Sequence, residues 1–172
     1  MPYSSSFPSV TTIFHSLRHL SLNDSQWTSD TVVFLIKNTP NLHSLHIRPY
    51  GNFSQVLWTT KVYITHIRKL DILLNNDTAD LASLLALFPG IRRLRVAYYT
   101  IESAPALDGK AWQKVIEDYL PCLQQMILCF CDEDENSIDE QFISTFYTGD
   151  FWSKKQMITE ITMDQAIIKI KL

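Results

Sequence analysis

The residues of this sequence that could hold a metal ion or react with a substrate are a few cysteines and histidines. Cys129 and Cys131 are separated by a single residue, and no second ligand pair stands at the spacing of a structural zinc site. His43 and His46 are three apart on a predicted strand, which places their side chains on opposite faces. We therefore expect no metal ion and no cofactor.

The acidic stretch 132–140 could be taken for a calcium-binding loop. Its first, third and fifth positions carry oxygen ligands, as such a loop requires. The sixth position, however, is Ser137 instead of glycine, and the twelfth is Ile143 instead of a bidentate glutamate. We expect a solvated acidic loop.

Catalytic motifs are also missing from the sequence. The chain has four glycines, Gly51, Gly90, Gly109 and Gly149, which lie too far apart for a phosphate-binding loop or a nucleophile elbow. Serine, histidine and aspartate occur without the spacing of a triad. We expect a protein that is not an enzyme, and an enzyme ranks last among the functions considered.

Charged side chains on predicted strands are more informative. Several cations and one anion fall at strand positions that point away from the predicted core, although the chain has a formal charge of −3. Such a face would favour an acidic or phosphorylated peptide. The alternative is a solvated strand face whose cations discourage edge pairing. The candidate ligand-binding residues are Arg48, Lys69, Arg93, Arg95, His46 and Asp71.

These positions depend on a short motif that recurs along the chain: apolar, two variable, apolar, one variable, apolar. Alternate residues of a strand point the same way, so each copy predicts a strand with one buried face. The copies begin 25, 25, 24 and 32 residues apart, and the first three spacings are typical of leucine-rich repeats. The five copies are LRHLSL from Leu17, LHSLHI from Leu42, IRKLDI from Ile67, IRRLRV from Ile91 and LQQMIL from Leu123.

Helical patterns precede three of these strands. Leu81, Leu84, Leu85 and Phe88 have the spacing of one helix face, and a second helix is predicted around Trp112–Leu120 with Asp108 as its N-cap. A proline then separates helix from strand at positions 40, 89 and 121. Proline there ends the helix and favours an extended entry to the strand.

The pattern predicts one α/β domain over residues 1–172: a leucine-rich-repeat solenoid with a curved, mainly parallel sheet inside and helices outside. Within it, 13–131 would hold the repeats, 132–141 the acidic loop and 142–172 a C-terminal cap with two strands around Asp164. A doubly wound α/β fold is the alternative, but its strands should be near-continuous apolar runs, and these alternate.

The repeated phrases resemble the leucine-rich-repeat region of F-box proteins over roughly residues 14–130. LRHLSL, TPNLHSLHI, FPGIRRLRV and WQKVIEDYLPCLQQMIL carry the resemblance. It implies the substrate-recognition part of a ubiquitin-ligase receptor. No F-box-like helical segment precedes the first repeat, so we expect this chain alone not to bind a ligase adaptor.

The expected function is therefore non-catalytic binding of a protein or peptide, acidic or phosphorylated, in the cytoplasm or nucleus and away from membranes. A nucleic-acid-contacting repeat protein using the same basic strip, or a free-standing scaffold fragment, is the alternative. The acidic pI of 5.9 disfavours a general nucleic-acid binder.

Overall fold

The computed structural model describes residues 13–22, 34–48, 63–74, 81–98, 107–131, 143–161 and 165–172. The acidic stretch 132–140 lies outside the described residues. Seven strands are present in the described part: β1 (His19–Leu22), β2 (Ser44–Ile47), β3 (Lys69–Leu74), β4 (Arg93–Tyr98), β5 (Gln125–Cys131), β6 (Gln156–Ile161) and β7 (Gln165–Lys171). The helices are α1 (Leu81–Ala86), α2 (Gly109–Tyr119) and α3 (Asp150–Ser153), and residues 34–37 and 143–144 are also helical.

All seven strands join one sheet in the order β1-β2-β3-β4-β5-β7-β6. The first five are parallel and follow chain order, so each motif copy lies beside the next. The last two are antiparallel: β7 pairs with β5, and β6 pairs with β7 at the edge. The five predicted strands and the two predicted around Asp164 are confirmed.

A repeated backbone bridge holds the five parallel strands in register where they begin. The carbonyl of the residue before one strand accepts N–H bonds from two successive residues of the next. Arg18 accepts from His43 and Ser44 at 2.9 and 3.1 Å, and Arg92 accepts from Gln124 and Gln125 at 2.9 and 3.1 Å. This bridge aligns equivalent residues of the motif in rows across the sheet.

The core lies on one face of the sheet, as the alternation predicts. Leu45, Leu70 and Met126 are completely buried, and Ile168 continues the same apolar layer on β7. The helices α1 and α2 contribute buried side chains to this same cluster, including Leu85 and Trp112. Helices α1 and α2 therefore cover the face of the sheet that carries the main core.

Helix α2 begins at the predicted N-cap. The Asp108 carboxylate accepts a hydrogen bond from the Ala111 N–H at 2.7 Å. A Cβ on Gly109 would lie 2.3 Å from the Thr145 carbonyl oxygen, so only glycine allows this approach. The buried Trp152 indole N–H donates to the Gly109 carbonyl at 3.0 Å, which ties α3 to the start of α2.

The predicted leucine-rich-repeat solenoid is wrong. The sheet is mixed, closes with an antiparallel hairpin, and carries few helices within the described residues. The motif specifies which side of each strand is buried, but it does not specify how many strands join or in which direction. Ala166, Ile168 and Ile170 repeat the same alternation on β7, so this strand extends the buried face even though it pairs antiparallel with β5.

Candidate functional site

The side chains that point away from the core form three rows across the sheet, which we call the polar face. The first row crosses the strand beginnings: His19, Ser44, Lys69, Arg93, Gln125, Lys171 and Gln156. The second contains Ser21, His46, Asp71, Arg95, Ile127, Lys169 and Ile158. The third contains Leu73, Ala97, Cys129, Ile167 and Glu160.

The first row holds three exposed cations, Lys69, Arg93 and Lys171. Among the described residues, no ion pair joins any of the three to a carboxylate. Lys69 and Arg93 are directly paired neighbours on β3 and β4. Their charges therefore remain available to an anion arriving from solvent.

The charged side chains at the centre of the second row are paired with one another. Arg95 donates to the Asp71 carboxylate with a nitrogen–oxygen distance of 3.2 Å, and His46 Nδ1 lies 3.4 Å from the other oxygen of that carboxylate. The pKa of the Arg95 guanidinium is raised overall, because the effects of Cys129 and Asp71 outweigh the lowering by burial, so Arg95 remains charged. These residues form a fixed cross-strand network.

The third row is more apolar than expected. Leu73, Ala97 and Cys129 are buried against each other, with Ile127 and Ile167 packed beside them. On the face opposite the main core, the first two rows therefore face solvent, whereas the middle of the third row is buried.

The structure groups the six candidate residues in different ways. Lys69 and Arg93 lie together in the first row, and His46, Asp71 and Arg95 form the second-row network. Arg48 follows the end of β2, where its backbone N–H donates to the Leu22 carbonyl at 2.9 Å, and is half-buried.

Two further cations come from β7, which the candidate set did not include. Lys169 and Lys171 lie opposite Ile127 and Gln125 of β5. The sequence did contain a signal for them, because the alternation of QAIIKIKL puts both lysines on the side away from Ile168 and Ile170. Lys169 is paired with Glu160 at 2.6 Å, which leaves Lys171 as the exposed charge.

A cleft of about 400 Å³ lies where the first row crosses β4, β5, β7 and β6. Arg93, Gln125, Lys171 and Gln156 follow one another directly in the strand register along it. The exposed Ile158 adds an apolar wall. The lining residues are Arg93, Gln124, Gln125, Gln156, Ile158, Lys169, Ile170 and Lys171.

His66 lies before β3. Its Nε2 atom is buried and has no hydrogen-bond partner among the described residues. Burial, followed by electrostatic repulsion from His43 and Arg68, lowers the pKa of His66. The protonated form of this histidine is therefore disfavoured in the folded chain.

The exposed cations of the first row suit the polar face to binding an anion.

Over the described residues, no cluster of three or more His, Cys, Asp or Glu side chains could hold a metal ion. The three cysteines are free thiols, with Cys129 buried and Cys122 exposed. No described helix is long and apolar enough to cross a membrane.

No protein-family model and no curated protein matches this sequence. The chain is weakly similar to the solved structure of M. capricolum TrmK in complex with the natural cofactor product S-adenosyl-homocysteine. The sequence identity is 9% and the TM-score is 0.28, over 94% of this chain and 65% of that one. This chain thus spans about two thirds of that protein, and a likeness at this level carries no argument about fold or activity.

Proposed function

We propose that this chain is a non-catalytic module that binds an acidic protein segment or peptide through the first row of its polar face. The observation that supports this most directly is the pair of adjacent, exposed cations Lys69 and Arg93, joined in the same row by Lys171. The overall charge is −3, so a cationic row is contrary to the net balance of the chain. Charge complementarity would steer an acidic segment to this row and align it there.

The second row supports the proposal because its side chains hold one another in place beside the first row. Asp71 holds Arg95 and faces His46, which fixes three side chains beside the first row. A fixed layer reduces the conformational entropy that binding would otherwise cost. The free cations of the first row would then make most of the charged contacts.

The proposal is tested by selecting binders from a display library of random twelve-residue peptides on the purified chain. We expect enrichment of aspartate and glutamate, because each carboxylate would neutralise a first-row cation. Enriched peptides should lose affinity for the Lys69→Glu, Arg93→Glu double variant. Selection of purely apolar or basic peptides would contradict the proposal.

Nucleic acid is the competing ligand for a cationic row, and salt dependence separates the two. A phosphate-backbone binder loses affinity steeply with salt and with little regard to sequence. Fluorescently labelled duplex and single-stranded oligonucleotides of unrelated sequence should therefore bind weakly compared with the selected peptides. Tight, sequence-independent binding of the oligonucleotides would instead favour the nucleic-acid alternative.

A narrower role follows from the resemblance to F-box proteins: the bound segment would belong to a ubiquitin-ligase substrate. The phrases that carry the resemblance form the strands β1, β2, β4 and β5, which supply much of the polar face. We propose a cytoplasmic or nuclear location for this role, where free thiols such as Cys122 persist. Localisation of the tagged chain by microscopy checks that part of the proposal.

A further inference from the structure

The cleft across β4, β5, β7 and β6 has a more specific composition than the rest of the first row. Two exposed cations, Arg93 and Lys171, flank Gln125, and Gln156 follows Lys171 in the same row. Two adjacent strands lie about 4.8 Å apart, so the two cationic residues originate about 10 Å from each other. Both side chains are long enough to converge on one group held above Gln125.

The charges of the cleft match a doubly charged group. Lys169, the third cation in the lining, is already paired with Glu160 at 2.6 Å. Arg93 and Lys171 have no carboxylate partner among the described residues. A phosphate monoester carries about −1.5 to −2 charges at neutral pH and would balance both cations, whereas one carboxylate would balance only one.

Neutral donors and an apolar wall complete the cleft. The side-chain amides of Gln124, Gln125 and Gln156 can each donate N–H bonds to oxyanion oxygens. Ile158 is 51% exposed on β6 and borders the same space. A ligand that fits combines a phosphate group with an apolar neighbour.

We propose that this cleft binds the phosphorylated side chain of a peptide, with Arg93 and Lys171 neutralising the phosphate and Ile158 contacting an adjacent apolar residue. This inference rests on the proposed peptide-binding function and deepens it. The hairpin of β6 and β7 is then part of the binding site as well as of the sheet. Lys69 lies two strands from Gln125 in this row, next to Arg93, and would contact the flanking peptide.

The test uses the ¹⁵N-labelled chain and a blocked pentapeptide, leucine–alanine–phosphoserine–alanine–leucine. We expect the phosphopeptide to shift the side-chain amide signals of Gln125 and Gln156. The amide of Gln113, which donates to Glu117 on α2 at 3.1 Å, serves as the internal control and should not move. The unphosphorylated peptide should leave all three signals in place.

Neutral variants test the two cations without reversing charge. Arg93→Gln and Lys171→Gln should each weaken phosphopeptide binding about tenfold, as loss of one charge-assisted hydrogen bond implies. Lys114→Gln, on the exposed side of α2, is the matched control and should bind normally. Unchanged affinity in Lys171→Gln would overturn the cleft assignment.

Three outcomes separate this inference from the proposed function. If acidic library peptides bind but phosphorylation adds nothing, the cleft inference fails and peptide binding stands. If inorganic phosphate shifts Gln125 and Gln156 but the phosphopeptide does not, a peptide ligand for the cleft is excluded. If neither library peptides nor the phosphopeptide bind, both proposals fail.

Discussion

Charge pairing distinguishes the first two rows of the polar face. Arg93 and Arg95 are two residues apart on one strand and point to the same side, and the sequence treats them alike. The parallel register places Arg95 opposite Asp71 and Arg93 opposite Lys69. One arginine is therefore neutralised and the other is available, a distinction that only the pairing of β3 with β4 provides.

The Asp71→Asn substitution tests this division. Removing the carboxylate frees Arg95 and His46 from their anion, so we expect tighter binding of acidic peptides together with a stronger salt dependence. Stability should change by less than about 1 kcal/mol, because the Arg95 side chain is 42% exposed. Isothermal titration measures the affinity. Asp118→Asn on α2 is the control, and an equal gain there would point to net charge rather than to the second row.

The lowered pKa of His66 predicts a pH dependence of stability. In the unfolded chain the His66 side chain takes up a proton near the ordinary histidine pKa of about 6.5, whereas in the folded chain burial lowers that pKa. The free energy of unfolding should therefore decline as pH falls below about 6.5. Urea titrations of wild type and His66→Gln between pH 7.5 and 5 measure this difference. The slope should be smaller in the variant, with exposed His15→Gln as control, and identical slopes in wild type and His66→Gln would contradict the assignment.

At the scale of elements, the sequence predicts the positions of the strands better than the contacts between elements. Each alternating motif forms a strand with the expected residues on its buried side, although Leu20 on β1 is only half-buried, and Asp108 caps α2 as expected. The sequence contains little indication that α3 docks on α2. This docking depends on the hydrogen bond between Trp152 and Gly109, which are 43 residues apart. Such a contact depends on backbone geometry, which residue type and spacing do not contain.

Gly109 tests that junction. A methyl group there would lie 2.3 Å from the Thr145 carbonyl oxygen, so Gly109→Ala must push α2 away from the segment before α3. We expect a loss of about 1–3 kcal/mol in the free energy of unfolding. Chemical denaturation provides the measurement. Ser83→Ala on the exposed side of α1 should change stability by under about 0.5 kcal/mol, and an equally small effect of Gly109→Ala would show that the junction is loose.

At the scale of the whole molecule, the sheet order predicts where the chain opens first. Strands β4, β5 and β7 are each paired on both sides over six or seven residues. Strands β2 and β3 are also interior but pair over four residues on at least one side, and β1 and β6 are the first and last strands of the described sheet. Amide hydrogen exchange followed by mass spectrometry should find the slowest exchange in β4, β5 and β7 and the fastest among strands in β1 and β6. Slow exchange in β1 with fast exchange in β5 would contradict this topology.

The fold as a whole was the part that the sequence predicted least well. The regular motif spacing suggested a solenoid, but motif spacing reports only the local repeat. It contains no information on the sense of β7, whose apolar face suits either strand direction. The candidate site was affected in the same way, because Lys171 enters the first row only through the antiparallel pairing with Gln125.

The central claim is that the first row of the polar face binds acidic segments. The most direct measurement is the fluorescence anisotropy of a labelled glutamate–leucine alternating peptide, titrated with two charge-reversed double variants. One is Lys69→Glu, Arg93→Glu in the first row, and the other is Lys110→Glu, Lys114→Glu on the exposed side of α2. Both change the net charge equally and should melt like the wild type, since exposed charges contribute little to stability. We expect the first variant to lose binding and the second to retain it; equal affinities of the two variants would contradict the claim.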